Sequence, residues 1–291
     1  MADQKTALIT GAAMGMGALK AKTLAERGWR VFAGVLPDIE TPELGDNENI
    51  VKVVQNVASD ESVSSSAVTV ERALDGAPLD LLINNAGIAN MGQGVVEGLS
   101  IDEAKTLFEI NTWGTLRVLQ AFLPMIRKGA PHSRIINFAS GAVKANPLAT
   151  ASYNMSKHAV VGLTRTLRHE LAPFGVQVTA VEPGAVFTHM TANSRESTKA
   201  IWNKVSQEMN DVYGPHLREA TLEVLPAQIE KGNPPQVVVD QVLGLLEKKD
   251  WKPAYLVGKD VAAMAPLHKL MPERMFEKMI QSASKIPQFK G

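Results

Sequence analysis

Tyr153, Lys157 and Ser140 have the types and the spacing that a proton-transfer site for an alcohol or a ketone needs. Tyr153 and Lys157 are four positions apart, and on a helix such residues share one face with Cβ atoms about 5–6 Å apart. Lowering the pKa of a tyrosine from near 10 by about three units requires roughly 4 kcal/mol of preferential stabilisation of phenolate. A fixed cation is one source of such a shift. A Tyr-x-x-x-Lys pair alone is also compatible with an ordinary surface helix, so the surrounding elements must decide.

Short apolar segments alternate with longer helical patterns along the chain, which indicates repeated strand-helix units. The segments are apolar throughout instead of at every second residue, as is typical of a parallel sheet covered on both faces. With 291 residues and 45% hydrophobic content, the chain is expected to form one α/β domain over residues 1–291. The predicted strands are 7–10, 31–35, 50–55, 79–84, 135–140, 176–181 and 254–257, and the predicted helices are 15–27, 60–74, 102–127, 151–172 and 235–247.

The helix that carries the Tyr/Lys pair has clear signals along its length. Leucine and valine side chains recur at spacings of three and four from Val160 to Leu171, and Pro173 and Gly175 then end the pattern. Tyr153 and Lys157 therefore lie near the start of this helix, where the strand that ends at Ser140 can approach them.

Composition excludes several other classes of function. Thirty basic and thirty acidic residues cancel without a long basic block, so nucleic acid is not an expected partner. The longest apolar runs are strand-sized and the first strand begins within a few residues, so we expect neither a membrane span nor a signal peptide. The chain has no cysteine, and its six histidines lack metal-site spacing. We expect a cytoplasmic protein with no metal site.

A glycine-rich turn follows the first predicted strand and opens a helix. Its sequence is Gly11-Ala12-Ala13-Met14-Gly15-Met16-Gly17. Glycines at such a turn let a diphosphate approach the backbone N–H groups at the positive end of the helix. The spacing differs from G-x-G-x-x-G, but the position after the first strand favours a dinucleotide site.

The end of the second strand bears on which nicotinamide dinucleotide binds, because an acidic residue there can accept a hydrogen bond from the ribose 2′-hydroxyl. The first carboxylate after the strand is Asp38, slightly late, and four further acidic residues follow it up to Glu48. No lysine or arginine occurs between Arg30 and Lys52, so a 2′-phosphate would find no local cation in this segment. We favour NAD over NADP, while an ordinary solvated acidic loop would have the same composition.

By these motifs the chain resembles the short-chain dehydrogenase/reductase family, up to about residue 258. The turn from Thr10 to Gly17 looks like the family's cofactor turn, and Asn84-Asn85-Ala86-Gly87 looks like its Asn-Asn-Ala-Gly motif. Asn111, Ser140, Tyr153 and Lys157 match its catalytic tetrad, and Pro183-Gly184-x-x-x-Thr188 resembles its nicotinamide-contacting loop.

The resemblance implies a Rossmann-type, doubly wound parallel sheet of about seven strands, hydride transfer between nicotinamide and a substrate, and a homodimer or homotetramer. It also implies roles for the tetrad. Tyr153, with its pKa lowered by Lys157 and by the positive nicotinamide ring, exchanges the proton; Ser140 holds the substrate oxygen; Lys157 binds the nicotinamide ribose; and Asn111 anchors a water. The predicted cofactor contacts are Gly11, Met14, Gly15, Met16, Asp38, Asn56, Val57, Asn85, Ala86, Gly87, Tyr153, Lys157, Pro183, Gly184, Val186 and Thr188.

Two positions depart from the family pattern. Asn56-Val57 stands where many members have Asp-Val beside the adenine, so an amide would make that contact. The second strand ends Val35-Leu36-Pro37 without the usual selector, which is closer to the retinol, hydroxysteroid and 3-hydroxybutyrate dehydrogenase branch.

The segment 188–232 is expected to be a substrate lid. Ile201, Val205, Met209 and Val212 fall at helical spacing in it and could pack in a helix or contact substrate. An apolar lid with few cations favours a hydrophobic, uncharged alcohol or ketone. Residues 259–291 are predicted to form a C-terminal helical extension. An NADPH-dependent carbonyl reductase and a non-catalytic dinucleotide sensor remain alternative functions.

Overall fold

All seven strands of the central sheet run parallel, in the order β3-β2-β1-β4-β5-β6-β7. The computed structural model describes residues 4–89, 91, 93–187 and 194–287. The strands are β1 (Thr6–Ile9), β2 (Arg30–Val35), β3 (Ile50–Val54), β4 (Leu81–Asn84), β5 (Arg134–Phe138), β6 (Gln177–Pro183) and β7 (Ala254–Val257). The predicted doubly wound α/β fold is confirmed, and the last strand has the predicted bounds.

Two apolar layers pack on the two faces of the sheet, and alternate residues of each strand feed them. In β1, Ala7 and Ile9 belong to one layer and Leu8 belongs to the other. Every residue of β1 is buried, which explains why the strands are apolar throughout.

The helices connect the strands and continue beyond the sheet. They are α1 (Gly15–Glu26), α2 (Asp60–Leu74), α3 (Ile101–Phe108), α4 (Gly114–Lys128), α5 (Ala142–Ala145), α6 (Ala151–Leu171), α7 (Ser194–Lys204), α8 (Gln207–Glu219), α9 (Leu225–Glu230), α10 (Pro235–Leu243), α11 (Lys259–Leu270) and α12 (Glu273–Ala283). Within the described residues, no helix has both the length and the apolar character that crossing a bilayer requires.

The predicted helix 102–127 is interrupted by a π-helical turn at Glu109–Trp113, between α3 and α4. A π turn shifts the hydrogen-bond pattern locally and is often found at functional sites. Asn111 lies inside this turn.

The segment from 194 to 232 is helical, but Ile201, Val205, Met209 and Val212 do not lie on one continuous helix. α7 ends at Lys204 and α8 begins at Gln207, with the Ser206 hydroxyl accepting a hydrogen bond from the N–H of Met209. The cap restarts the helix in a new register, and Val212 is 58% exposed.

The edge at which the strands end is where the site is expected. Because β1 pairs with β2 on one side and with β4 on the other, the chain reverses direction across the sheet at β1. In open parallel sheets, ligands bind outside the carboxyl ends of the strands at such a switch point.

Candidate active site

Ser140, Tyr153 and Lys157 are brought together beside the carboxyl end of β5. Ser140 follows that strand, and its hydroxyl lies beside the phenol of Tyr153 in the first turn of α6, where it acts to lower the pKa of that phenol. The Lys157 side chain is buried, and its Nζ donates to the backbone carbonyl of Phe138 at 3.0 Å and lies 5.8 Å from the centre of the Tyr153 ring. One ammonium and two hydroxyl groups thus converge near one point.

The protein's own groups shift the pKa of Tyr153 upward, contrary to the predicted lowering. Burial raises the pKa of the phenol, and the hydrogen bond with Ser140 offsets part of that increase. Burial also lowers the pKa of Lys157 to about 8, so its positive charge is itself disfavoured. The predicted lowering of the Tyr153 pKa is therefore not seen in the protein alone, because burial of the phenol outweighs the opposing effect of Ser140.

Asn111 reaches the same region from the π turn and holds the chain after β4. Its side-chain oxygen accepts from the N–H of Ile88 at 2.8 Å, and its amide donates to the Ile88 carbonyl at 2.9 Å and to the Ser156 hydroxyl at 3.2 Å. A Cβ placed on Gly87 would lie 3.1 Å from the Asn111 side-chain oxygen and 3.3 Å from Lys157 Nζ. Gly87, Asn111 and Lys157 therefore form one packed group.

The glycine turn lies at the carboxyl end of β1, and either backbone conformation or close packing explains why each of these positions is glycine. Gly11 and Gly15 have φ of 62° and 59°, in the left-handed region. A Cβ on Gly11 would meet the Cα of Ala86 at 2.9 Å, and a Cβ on Gly17 would overlap the carbonyl oxygen of Gly11. A Cβ on Gly15 would meet nothing within 4 Å, so the turn is open on that side.

The other turn residues and the β4 end complete this part of the predicted cofactor site. Met14 is the N-cap of α1, is 46% exposed and makes no side-chain capping bond, while Met16 packs against the core. The Thr10 hydroxyl accepts from the N–H groups of Asn85 and Ala86 at 3.0 and 2.9 Å. These bonds join the turn to the Asn-Asn-Ala-Gly segment.

The predicted adenosine contacts lie at the ends of β2 and β3. Asp38 is exposed and has a left-handed φ of 55°. The Asn56 side-chain oxygen accepts from the N–H of Ala58 at 3.1 Å, and Val57 is buried with Gly114 packed against it. The Asn56 side chain therefore stabilises a local turn, and Val57 packs in the hydrophobic core.

The predicted nicotinamide loop leaves β6 at the same edge of the sheet. Pro183 is the last residue of β6, and Gly184 donates its N–H to the carbonyl of Val257 at 2.9 Å. Val186 is buried against the core and pairs with Asn233 in an isolated bridge. Thr188, the last predicted contact, lies outside the described residues.

Two charged residues at the cofactor turn were not singled out from the sequence. Glu43 accepts a hydrogen bond from the N–H of Gly15 at 2.7 Å, at the start of α1. Lys20 is fully buried, donates to Asn85 Oδ1 at 2.6 Å and places its ammonium 3.7 Å from the centre of the Phe138 ring. Desolvation lowers the pKa of Lys20 well below its ordinary value. The buried position of Lys20 could have been anticipated, because it follows Gly17 and precedes Leu24 on one helical face.

A small, mostly apolar cavity lies between the loop before α6 and the helices after residue 194. It is lined by Gly94, Val95, Ala149, Thr198, Ile201, Trp202, Val205 and Thr221. Ala149 and Thr150 lead directly into the turn that carries Tyr153, so the cavity is close in sequence to the phenol.

Comparison with known proteins agrees with the arrangement of these motifs. The sequence model of the family described as short chain dehydrogenase matches residues 5–199. The mitochondrial D-beta-hydroxybutyrate dehydrogenase of Bos taurus is 34% identical over 217 residues, which cover 72% of this chain and 62% of that protein. The chain thus spans less than two thirds of the length of that relative. The oxidoreductase YusZ of Bacillus subtilis (strain 168) is 29% identical, over 96% of this chain and 98% of that protein.

A solved structure shows the same architecture over nearly the whole chain. The short chain dehydrogenase of Burkholderia cenocepacia J2315 in complex with NADP superposes with a TM-score of 0.72 at 29% identity, covering 98% of both chains. With the family model matching most of the sequence and the cofactor turn, the β4 motif and the Ser/Tyr/Lys group in one place, this chain belongs to the short chain dehydrogenase family.

Proposed function

We propose that the protein is a nicotinamide-dependent oxidoreductase that interconverts a hydrophobic secondary alcohol and its ketone. The observation that carries this proposal is the convergence of the Ser140 hydroxyl and the Tyr153 phenol beside the buried ammonium of Lys157. The bound dinucleotide would supply or accept the hydride. Relatives named as dehydrogenases and oxidoreductases support the same class of reaction.

The residues present fit a dinucleotide. A Cβ at Gly15 would meet open space, and the first turn of α1 has no acidic side chain of its own. The Glu43 carboxylate, which accepts from the N–H of Gly15, would have to move aside for a diphosphate to use that N–H. The predicted contacts from Gly11 to Gly87 and from Pro183 to Val186 all lie along one edge of the sheet. Lys157 would hold the nicotinamide ribose through its ammonium, which already faces Gly87.

Tyr153 is proposed to transfer the substrate proton, with Ser140 holding the same oxygen. A general acid–base works best when its pKa is close to the operating pH. Burial alone raises the pKa of Tyr153. The active form is therefore expected to need a further positive charge beside the phenol, which the oxidised nicotinamide carries.

Lys157 and Asn111 are proposed to carry that proton onward. The Asn111 side chain is fully engaged with Ile88 and Ser156, so its side chain positions the helix while its backbone carbonyl is the group proposed to hold a water. Thr115 donates to this carbonyl at 2.9 Å, and a carbonyl oxygen has a second lone pair for a water.

We favour NAD as the dinucleotide, although the Burkholderia relative holds NADP. Glu43 places a carboxylate at the N–H of Gly15, in the glycine turn that is proposed to hold the cofactor. A carboxylate there can accept hydrogen bonds from ribose hydroxyls and would repel a 2′-phosphate. Asp38 and the acidic segment after it act in the same direction.

Replacing Glu43 by glutamine tests this preference. At an effective dielectric near that of water, removing a like charge about 4 Å away is worth roughly 1 kcal/mol, or about fivefold in affinity. We expect wild type to bind NAD⁺ more tightly than NADP⁺ by calorimetry, and Glu43→Gln to bind NADP⁺ about fivefold better. Glu48→Gln, on the exposed part of the same loop, is the matched control and should change neither affinity. Tighter binding of NADP⁺ by wild type would contradict the assignment.

The substrate is proposed to be uncharged and hydrophobic. The cavity that includes Ala149, just before α6, is lined mainly by apolar side chains, including Ile201 and Trp202. Lys144, the cation nearest to Ser140 in the sequence, lies 3.4 Å from the buried carboxylate of Glu182 and is neutralised by it. This neutralised lysine would not attract a substrate carboxylate.

Turnover across an alcohol panel tests the function and the substrate class together. NADH formation is measured with steroid alcohols, retinol and aromatic carbinols, and with D-3-hydroxybutyrate as the acidic comparator. We expect higher kcat/KM for the uncharged compounds. A higher value for hydroxybutyrate would contradict the substrate class, and no reaction with any alcohol or corresponding ketone would contradict the enzymatic function.

A further inference from the structure

The chain that leaves β6 after Pro183 is held by two side chains from much later in the sequence, Asn233 and Asp260. Asn233 precedes α10, and Asp260 is the second residue of α11, directly after β7. Neither residue belongs to the motifs that identify the family site. Both contact the segment 184–187, which carries the proposed nicotinamide contacts Gly184 and Val186.

Asp260 accepts two hydrogen bonds with its two carboxylate oxygens. Oδ2 accepts from the N–H of Ala185 at 2.8 Å, and Oδ1 accepts from the Asn233 amide at 2.6 Å. Hydrogen bonds to an ionised carboxylate are stronger than neutral ones. The carboxylate therefore fixes the backbone of the loop directly and fixes Asn233 at the same time.

Asn233 is buried and uses both its side chain and its backbone. Its amide also donates to the Ala185 carbonyl at 3.0 Å, and its backbone N–H donates to the same carbonyl at 2.8 Å. Its side-chain oxygen accepts from the N–H of Lys259 at 2.9 Å. Its own carbonyl accepts from the N–H of Phe187 at 3.3 Å. Asn233 thus joins three separate chain segments.

Glycines lie where these segments meet, because a side chain would not fit. A Cβ on Gly184 would overlap both carboxylate oxygens of Asp260, and a Cβ on Gly258 would lie 2.6 Å from the Asn233 amide nitrogen. A Cβ on Gly232 would lie 2.7 Å from the Ala185 carbonyl oxygen. Such close approach from three sides shows that the loop conformation is determined by its partners and not by its own sequence alone.

We propose that Asn233 and Asp260 are positioning residues that hold residues 184–187 in the conformation that receives the nicotinamide half of the dinucleotide. This inference rests on the proposed function, since it needs a dinucleotide to bind at this edge. A ligand's apparent affinity falls in proportion to the fraction of protein in the competent conformation. Losing the carboxylate should lower that fraction, and so weaken only the contacts made by the nicotinamide end.

The full chain with Asp260→Ala provides the test, because Asp260 is exposed and its truncation opens no cavity in the core. Affinity is measured by calorimetry for the dinucleotide that wild type binds more tightly and for the matching ADP-ribose fragment, which lacks nicotinamide. We expect Asp260→Ala to weaken dinucleotide binding at least fivefold and to leave fragment binding within twofold of wild type. Asp250→Ala, an exposed aspartate at the other end of β7, is the matched control and should leave both affinities unchanged.

The fragment separates positioning from a general structural effect. Equal weakening of both ligands, or unchanged dinucleotide affinity, would overturn the positioning role while the proposed function stands. If wild type bound neither ligand, the proposed function would fail and this inference with it. A parallel decrease of kcat in Asp260→Ala, measured with any alcohol that wild type oxidises, is the expected kinetic counterpart.

Discussion

Replacing Lys157 by methionine should make the free protein more stable, and by an amount that depends on pH. Lys157 is buried, and its pKa falls from 10.5 to about 8 because the buried ammonium is poorly solvated. At about 1.4 kcal/mol per pH unit, this difference corresponds to about 3 kcal/mol. Methionine has a similar length and no charge, so it removes this cost.

The sign follows from proton binding in the two states. Between pH 8 and 10.5 the unfolded lysine still binds its proton while the folded one has released it, so stability rises with pH. Below pH 8 both states are protonated, and the folded protein carries the full cost of the buried ammonium. We therefore expect the stability advantage of Lys157→Met to be largest near pH 7 and to shrink by up to about 3 kcal/mol toward pH 10.5.

Urea unfolding of wild type and Lys157→Met at pH 7 and pH 10, without dinucleotide, measures how the stability advantage of the variant changes with pH. Lys20 has a lowered pKa as well, but it is present in both proteins and cancels. The lost hydrogen bond to the Phe138 carbonyl lowers the advantage equally at both pH values. Lys22→Met, on the exposed side of α1, is the control and should show no pH-dependent difference. An equal difference in unfolding free energy between Lys157→Met and wild type at the two pH values would refute the reasoning.

Two further substitutions test the cofactor turn and the apolar cavity. In urea unfolding, Gly17→Ala should destabilise the protein by at least about 2 kcal/mol more than Gly15→Ala, because the Cβ added at position 17 overlaps the Gly11 carbonyl. The Cβ added at position 15 faces open space, so that substitution costs only about 1–2 kcal/mol through its left-handed φ. Equal losses would contradict this. Ile201→Ala should lower kcat/KM for the best hydrophobic alcohol about tenfold without changing dinucleotide affinity, while Val212→Ala, at an exposed position of α8, should change neither. An unchanged kcat/KM for Ile201→Ala would contradict the assignment of this cavity to the substrate site.

The regular part of the fold was predictable because its signals are local. Apolar runs marked the strands, and Pro173 and Gly175 marked the end of α6, which closes in a 3₁₀ turn with Gly175 in the left-handed conformation. The meeting of Ser140 with Tyr153 was also predictable, since both lie where a strand or a helix begins or ends at one edge of the sheet.

Features that depend on desolvation or on distant partners were not predictable in the same way. Sequence spacing gives the separation of Tyr153 and Lys157 but not the burial that raises the pKa of one and lowers the pKa of the other. The π turn at Asn111 and the contact of Glu43 with Gly15 depend on tertiary packing. Asp260 lies 75 positions after Ala185, beyond the reach of any local pattern.

Turnover by Tyr153→Phe tests the central claim most directly. The phenyl ring keeps the packing of the side chain and removes only the hydroxyl that is proposed to transfer the proton to or from the substrate oxygen. We predict that kcat, with the best alcohol of the panel, falls by about 10²–10⁴-fold while dinucleotide affinity stays within twofold of wild type. A kcat within tenfold of wild type would contradict the account.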